Sequence, residues 1–192
     1  FIGIGSDKKI GSLKEYGVNY HQIELTTDNK VDFKSIEKYL GENNKVKVVH
    51  IQRSTGYGWR KSFSISEIKE IINFVKKINS ELICFVDNCY GEFIDIMEPT
   101  DVGADLVAGS LIKNIGGGIA PTGGYIAGRE EYVTQASYRL TVPGIGGECG
   151  STFGIMRSLY QGLFLAPHIS MEAVKGAVFC ARIMELAEFE VL

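Results

Sequence analysis

This sequence lacks cysteine pairs, basic clusters and long apolar runs. None of its four cysteines (Cys84, Cys89, Cys149 and Cys180) belongs to a C-x-x-C pair, and their spacing matches no zinc pattern. Reduced thiols in a cytoplasmic protein are therefore expected. The three histidines, His21, His50 and His168, are scattered, so no metal site is expected. The net charge is −3 and no basic stripe occurs, which argues against nucleic acid and anionic membrane as partners. Uninterrupted apolar runs are too short to span a bilayer, and no signal-peptide pattern opens the chain. With only 4 prolines, the chain shows no low-complexity tract, internal repeat or linker. Two nucleotide signatures are missing as well. No G-x-G-x-x-G opens a helix behind a strand, and no P-loop occurs, which disfavours a nucleotide-dependent oxidoreductase.

What remains is ordinary globular composition. The 192 residues are 45% apolar and 22% charged, which suits one domain. Helical and strand patterns alternate. HQIEL (21–25) predicts a short strand. Asp32 predicts an N-cap for a helix carrying Phe33, Ile36, Tyr39 and Leu40, with Gly41 as its stop. VKVVHIQ (46–52) predicts a strand. Ser64 and Glu67 form an S-x-x-E capping box ahead of a helix face of Ile68, Ile71, Ile72, Val75 and Ile78. ELICFVD (81–87) is nearly all apolar, as in a strand buried on both faces. DLVAGSL (105–111) and YIAG (125–128) predict further strands, and 130–139 a helix. From Ser151 the pattern is mainly helical. It breaks near Pro167, and Ser170 caps a last helix. This order predicts an α/β fold with a largely parallel sheet.

In such folds ligands bind beyond the carboxyl ends of strands. Three neighbouring strand ends here offer Gln52, Arg53 and Ser54, then Asp87, then Ser110 and Lys113. Each also has an ordinary reading. Asp87 suits a turn cap, Lys113 a surface lysine, Arg53 and Arg60 solvated loop charges. It is the combination that singles them out: an acid ends one apolar strand, and a lysine stands just past the next.

The order D-x-x-x-G-E (87–92), then S-x-x-K (110–113) and a glycine-rich segment resembles a fold-type I pyridoxal phosphate (PLP) enzyme. More narrowly, QRSTGYGWRKS (52–62), FVDNCYGEF (85–93), AGSLIKNIGGGIAPTGGYIAG (108–128) and VPGIGGECGSTFG (142–154) resemble the aluminium-resistance or methionine gamma-lyase-like family. That family is a branch of the Cys/Met-metabolism PLP enzymes. The likeness implies a three-layer α/β/α sandwich, the large domain of a PLP-dependent transferase-like fold. Residues 1–192 would be the central and C-terminal part of that domain. An N-terminal segment and a C-terminal small domain would then lie outside this chain.

The resemblance further implies a carbon–sulfur lyase acting on a sulfur amino acid, in a homodimer or homotetramer. Lys113 would form a Schiff base with the cofactor, and desolvation or nearby cations would lower its pKa. Asp87 would face the pyridine nitrogen, and Ser110 would donate to the phosphate. Gln52, Arg53 or Ser54 would lie near the ring hydroxyl, and Arg53 or Arg60 would bind the substrate carboxylate. Tyr57 and Tyr90 are candidates for acid or stacking roles, beside plain packing. Gly116, Gly117, Gly118, Gly123 and Gly124 would let backbone pass close to a ligand or a second subunit. Glu148, in the second glycine cluster, is a further polar candidate. Another PLP reaction such as transamination, or a non-catalytic fragment or homologue, remains open at this point.

Overall fold

The computed structural model describes residues 11–150 and 153–191. In chain order the elements are α1 (Phe33–Glu42), β1 (Val48–Gln52), α2 (Ile65–Ile78), β2 (Ile83–Asp87), β3 (Leu106–Ser110), β4 (Gly124–Gly128), α3 (Glu130–Leu140) and α4 (Met156–Leu186). Local chemistry explains the helix starts. The Asp32 carboxylate accepts from the Ser35 amide at 3.0 Å, satisfying a donor that α1 leaves unpaired. At α2 the capping box is complete, with Ser64 accepting from the Glu67 amide and Glu67 from the Ser64 amide. Helix α1 runs one residue past the expected stop at Gly41, and Asn43 is its C-cap.

Strands β1, β2 and β3 are parallel neighbours, and β4 closes the order antiparallel to β3. The apolar face of α2, made of Ile65, Ile68, Ile71, Ile72 and Val75, is buried with Ile51, Cys84, Val86 and Val107 of the sheet. Full burial of each such side chain stabilises the fold by about 1.5–3 kcal/mol. Burial deep in this core pushes the Cys84 thiol up to about 11, so it stays protonated.

Several expectations need correction. HQIEL is not a strand. Its His21 ring stacks on Tyr39 of α1 at 3.8 Å, and Ile23 packs on the core, so the segment lies against the helix layer and not in the sheet. ELICFVD is not buried on both faces. Cys84 and Val86 are buried, while Ile83, Phe85 and Asp87 are half-buried. The described residues thus build two layers, with α1 and α2 on one face and no helix layer across the other. The third layer of the expected sandwich is not among them.

The expected break near Pro167 is also absent, because α4 passes through it as one helix of 31 residues. Pro167 lacks one backbone donor, yet the turns on either side are held. Gly162, Ala166 and Ser170, spaced by one turn each, are buried, and the helix packs on the tight turn Asn114–Gly116. Ser170 is therefore a mid-helix residue and caps nothing. The expected helical onset at Ser151 lies outside the described residues. By length and composition alone, α4 is apolar enough to cross a membrane, with mean hydropathy 1.2. The run-by-run reading missed this because polar residues interrupt the stretch. Glu172 and Lys175 lie inside the helix, where hydrocarbon would make them costly.

The glycines of 116–124 have a packing role. A Cβ on Gly117 would meet the Gly162 carbonyl at 2.3 Å, and one on Gly162 would meet the Gly116 carbonyl at 2.3 Å. Two backbones touch there, which only glycine permits.

Candidate functional site

The three parallel strands end at one rim. Across it Gln52 pairs with Asp87, Asp87 with Ala108, and Ala108 with Ile126. Because Cys84 and Val86 point into the core, strand alternation puts Asp87 on the opposite, open face with Phe85. Val107 is buried, so Ala108 and Ser110 share that open face. His50 lies there too, its ring stacked on Phe85 at 5.1 Å. Burial pulls the His50 imidazole below its ordinary value, partly opposed by the Asp87 charge.

Asp87 is tightly placed. Its Oδ1 accepts from the Cys89 amide at 3.1 Å, and its carbonyl accepts from the Arg53 amide at 3.0 Å. The next residue, Asn88, donates its amide to the Ala108 carbonyl at 2.9 Å. Lys113 reaches back from the end of β3 over this turn. Its Nζ lies 4.6 Å from the Tyr90 ring centroid, and the Cys89 thiol is a neighbour. Partial burial pulls the amine down, but Cys89, Tyr90 and Asp87 outweigh it, and the pKa sits above the ordinary lysine value. This corrects the expectation of a lowered value. Among the described residues, the groups that act on Lys113 include a carboxylate and no cation. Cys89 itself is pushed up, first by burial and then by Asp87, against the opposing pull of Lys113.

Arg53 does not stand at the rim as a ligand group. It is 3% exposed, and its guanidinium is engaged throughout by the chain. One nitrogen donates to Asn88 Oδ1 at 2.9 Å and to the Gly91 carbonyl at 2.8 Å. The other pairs with Asp95 at 2.7 Å, and Nε donates to the Phe63 carbonyl. Neither the solvated-charge nor the substrate-carboxylate reading fits this arrangement. Arg60 closes the loop 54–62 by donating to the carbonyls of Gln52, Ser54 and Lys61, with its guanidinium 4.8 Å from the Phe63 ring. Gln52 sits on the open face in register with Asp87 and donates to the Ser54 carbonyl at 3.3 Å. Tyr57 is fully exposed at the loop tip. The second glycine cluster lies against α3, where a Cβ on Gly146 would meet Ser137 and Tyr138. Glu148 is exposed in that cluster, and the cluster's Ser151 lies outside the described residues.

The sequence reading missed a polar network beneath the rim. Asn88 is fully buried and donates to Glu98 at 2.9 Å; Tyr125 donates its hydroxyl to Glu92 at 2.8 Å. Glu92 is 3% exposed, and its Oε2 has no hydrogen-bond partner. Burial pushes its carboxyl above the usual carboxylate range. The clue in the sequence was glycine. A Cβ on Gly91 would strike Arg53 and Asn88 at 2.5–2.6 Å, and one on Gly109 would strike Glu92 at 2.4 Å.

Fold and rim together define an α/β chain that brings a carboxylate, Asp87, and a lysine, Lys113, to adjacent strand ends. All of it, residues 1–192, matches the family model for methionine gamma-lyase, and the chain belongs to that family. It is 67% identical to a solved Clostridium acetobutylicum protein provisionally described as a cystathionine beta-lyase involved in aluminum resistance. That likeness has a TM-score of 0.95 and covers 100% of this chain and 45% of the other. A carbon-sulfur lyase involved in aluminum resistance from Clostridium novyi is 65% identical, with a TM-score of 0.93 over 98% of this chain and 44% of that one. An uncharacterized Bacillus subtilis protein is 52% identical over 98% of this chain and 44% of its own length. The chain thus spans less than half the length of these relatives. A distant likeness in fold, with a TM-score of 0.51 at 16% identity, covers 77% of this chain and 36% of a pyridoxal-5'-phosphate dependent protein of Escherichia coli.

Proposed function

We propose that this chain carries the reactive pair of a PLP-dependent carbon–sulfur lyase acting on a sulfur amino acid of the methionine or cystathionine type. The observation that carries the reading is the meeting of Asp87 and Lys113 at the rim of a parallel sheet. Family membership and the names of the solved relatives point the same way.

The donor set suits PLP. It offers a carboxylate, a primary amine and a hydroxyl (Ser110) on one open face. Ala108 and Gly124 beside them are small, which leaves a flat floor for a planar ring. When bound, the cofactor supplies an aldehyde that joins an amine covalently and a ring that withdraws electrons from the substrate α-carbon. Lys113 would hold it through that amine. Asp87 would keep a proton on the ring nitrogen by charge attraction and hydrogen bonding. Ser110 would donate to the phosphate, and Gln52, in register with Asp87, would line the ring. Once displaced by the substrate's own amine, the Lys113 amine would take the proton from the α-carbon and pass one to the departing sulfur as the carbon–sulfur bond breaks, and water would then release the 2-oxo acid and ammonia beside the thiol. The substrate carboxylate is left to Arg60, once freed from its carbonyls, or to residues outside this chain, because Arg53 is fully engaged.

The test is to incubate the full-length protein with methionine, cystathionine and cysteine and to measure thiol and 2-oxo acid. Release of both from at least one substrate is expected. Amino-group transfer without thiol release would contradict the lyase reading and favour an aminotransferase.

A further inference from the structure

The Lys113 segment raises a problem of precision. The lysine stands at the head of a turn followed by three consecutive glycines, Gly116, Gly117 and Gly118. Glycine-rich backbone samples many conformations, and a reactive amine needs one. Something outside the glycines has to fix the amine.

Two groups meet that need. The first is Asn114, next to Lys113. Its side-chain amide donates to the carbonyls of Tyr90, at 3.2 Å, and Glu92, at 3.0 Å. One side chain thereby ties the lysine turn to the turn that follows Asp87. The second is Tyr90. It has φ +68°, left-handed backbone that a bulky residue rarely adopts. That conformation is strained for a bulky side chain and persists only where the surroundings enforce it. Here it aims the Tyr90 carbonyl at Asn114, while the ring lies 4.6 Å below the Lys113 ammonium. Phe93, just beyond, also has a positive φ, +60°, and donates its amide to Glu98 at 2.9 Å. The whole turn is therefore held from the buried network upward.

We propose that Tyr90 is a positioning residue for Lys113, a ring on which the ammonium rests, and that Asn114 is the clamp that keeps ring and amine together. The inference deepens the reading of Lys113 as the cofactor-binding lysine and rests on it for its role in catalysis. The geometry itself is independent of any cofactor. The other groups that face Lys113 are the Cys89 thiol and the Asp87 carboxylate. The ring acts through its π face and Asp87 through its charge. A lysine released by an incoming amine thus has one fixed resting place next to the site.

The sign of the effect follows. A ring beneath an ammonium stabilises the charged form. Removing it makes the amine more basic-shy, so more of it is neutral at a given pH. The test is residue-resolved acetylation of the cofactor-free full-length protein, followed over pH 7 to 11 by mass spectrometry (about the span in which lysines titrate). At pH 8, Tyr90→Leu should acetylate Lys113 about two- to fivefold faster than the wild type, and Tyr90→Phe at the wild-type rate. Exposed Lys34, on α1, serves as the internal reference and should not change. Asn114→Ala should raise Lys113 reactivity in the same direction, and it carries the test if Tyr90→Leu fails to fold. Equal Lys113 rates in wild type, Tyr90→Leu and Asn114→Ala would overturn the proposal.

Borohydride trapping of pyridoxal phosphate on the wild-type protein separates the two ideas. Trapping at Lys113 with unchanged acetylation would remove the clamp and leave the proposed function. Shifted acetylation without trapping would leave the clamp and remove the cofactor reading.

Discussion

The two faces of the sheet are built for different purposes from the same strands. On the covered face, Ile51, Cys84, Val86 and Val107 meet five buried residues of α2. That core is apolar, with the Lys76–Asp105 ion pair beside it as its charged neighbour. On the open face the same strands present His50, Gln52, Phe85, Asp87, Ala108 and Ser110. Strand alternation lets one pentapeptide, Ile83–Asp87, serve both. The lesson is that stability and reactivity are separable here, so substitutions on one face should leave the other's property largely intact.

The sharpest way to test that separation is at the open face. Lys113→Ala should lower turnover of the full-length protein by at least about a thousandfold, with unfolding by heat little changed. A large loss of melting temperature would show that the open face also carries stability. On the covered face Ile68→Ala, at a residue 0% exposed, should cost about 2–5 kcal/mol in denaturant unfolding and leave KM unchanged.

Arg53 sits between the two faces and sharpens the comparison further. Arg53→Met leaves Asp95 and Asn88 without their partner and should cost about 3 kcal/mol of stability. If Arg53 gripped substrate, KM would rise instead while stability held.

A smaller effect is expected at Glu92. Its carboxyl is raised in the folded chain, so its stabilising share is full below the ordinary glutamate value and is lost as pH rises through the raised one. Glu92→Gln keeps an acceptor for Tyr125 and should flatten that loss, making the variant as stable as wild type or more so at neutral pH. Unfolding curves at acid and neutral pH compare the two directly. The smallest expected change is at the α2 cap, where Ser64→Ala should cost about 1 kcal/mol by the same measurement.

What was legible in the sequence follows the same division. Helix α2, its capping box and strands β1 to β4 could be read because local pattern and tertiary structure agree there. That Asp87, Ser110 and Lys113 gather at one rim was legible because the three follow the ends of adjacent strands. HQIEL misled because a short apolar run cannot say whether it pairs in a sheet or lies against a helix. Pro167 misled because α4 is held by packing on the Asn114–Gly116 turn, a contact between residues far apart in sequence. Arg53 looked solvated because nothing local announces the buried Asn88 and the Asp95 and Glu98 carboxylates that receive it. Lys113 was expected with a lowered pKa because its neighbours Asp87, Cys89 and Tyr90 come from another strand end.

The central claim is that Asp87 and Lys113 are the pair that holds pyridoxal phosphate. The most direct measurement is to reduce the full-length protein with borohydride in the presence of pyridoxal phosphate and to map the labelled peptide. The account predicts a pyridoxyl group on Lys113 and a visible absorption band that is lost in Lys113→Ala. A label on other lysines alone, or a protein that stays colourless with the cofactor added, would contradict it.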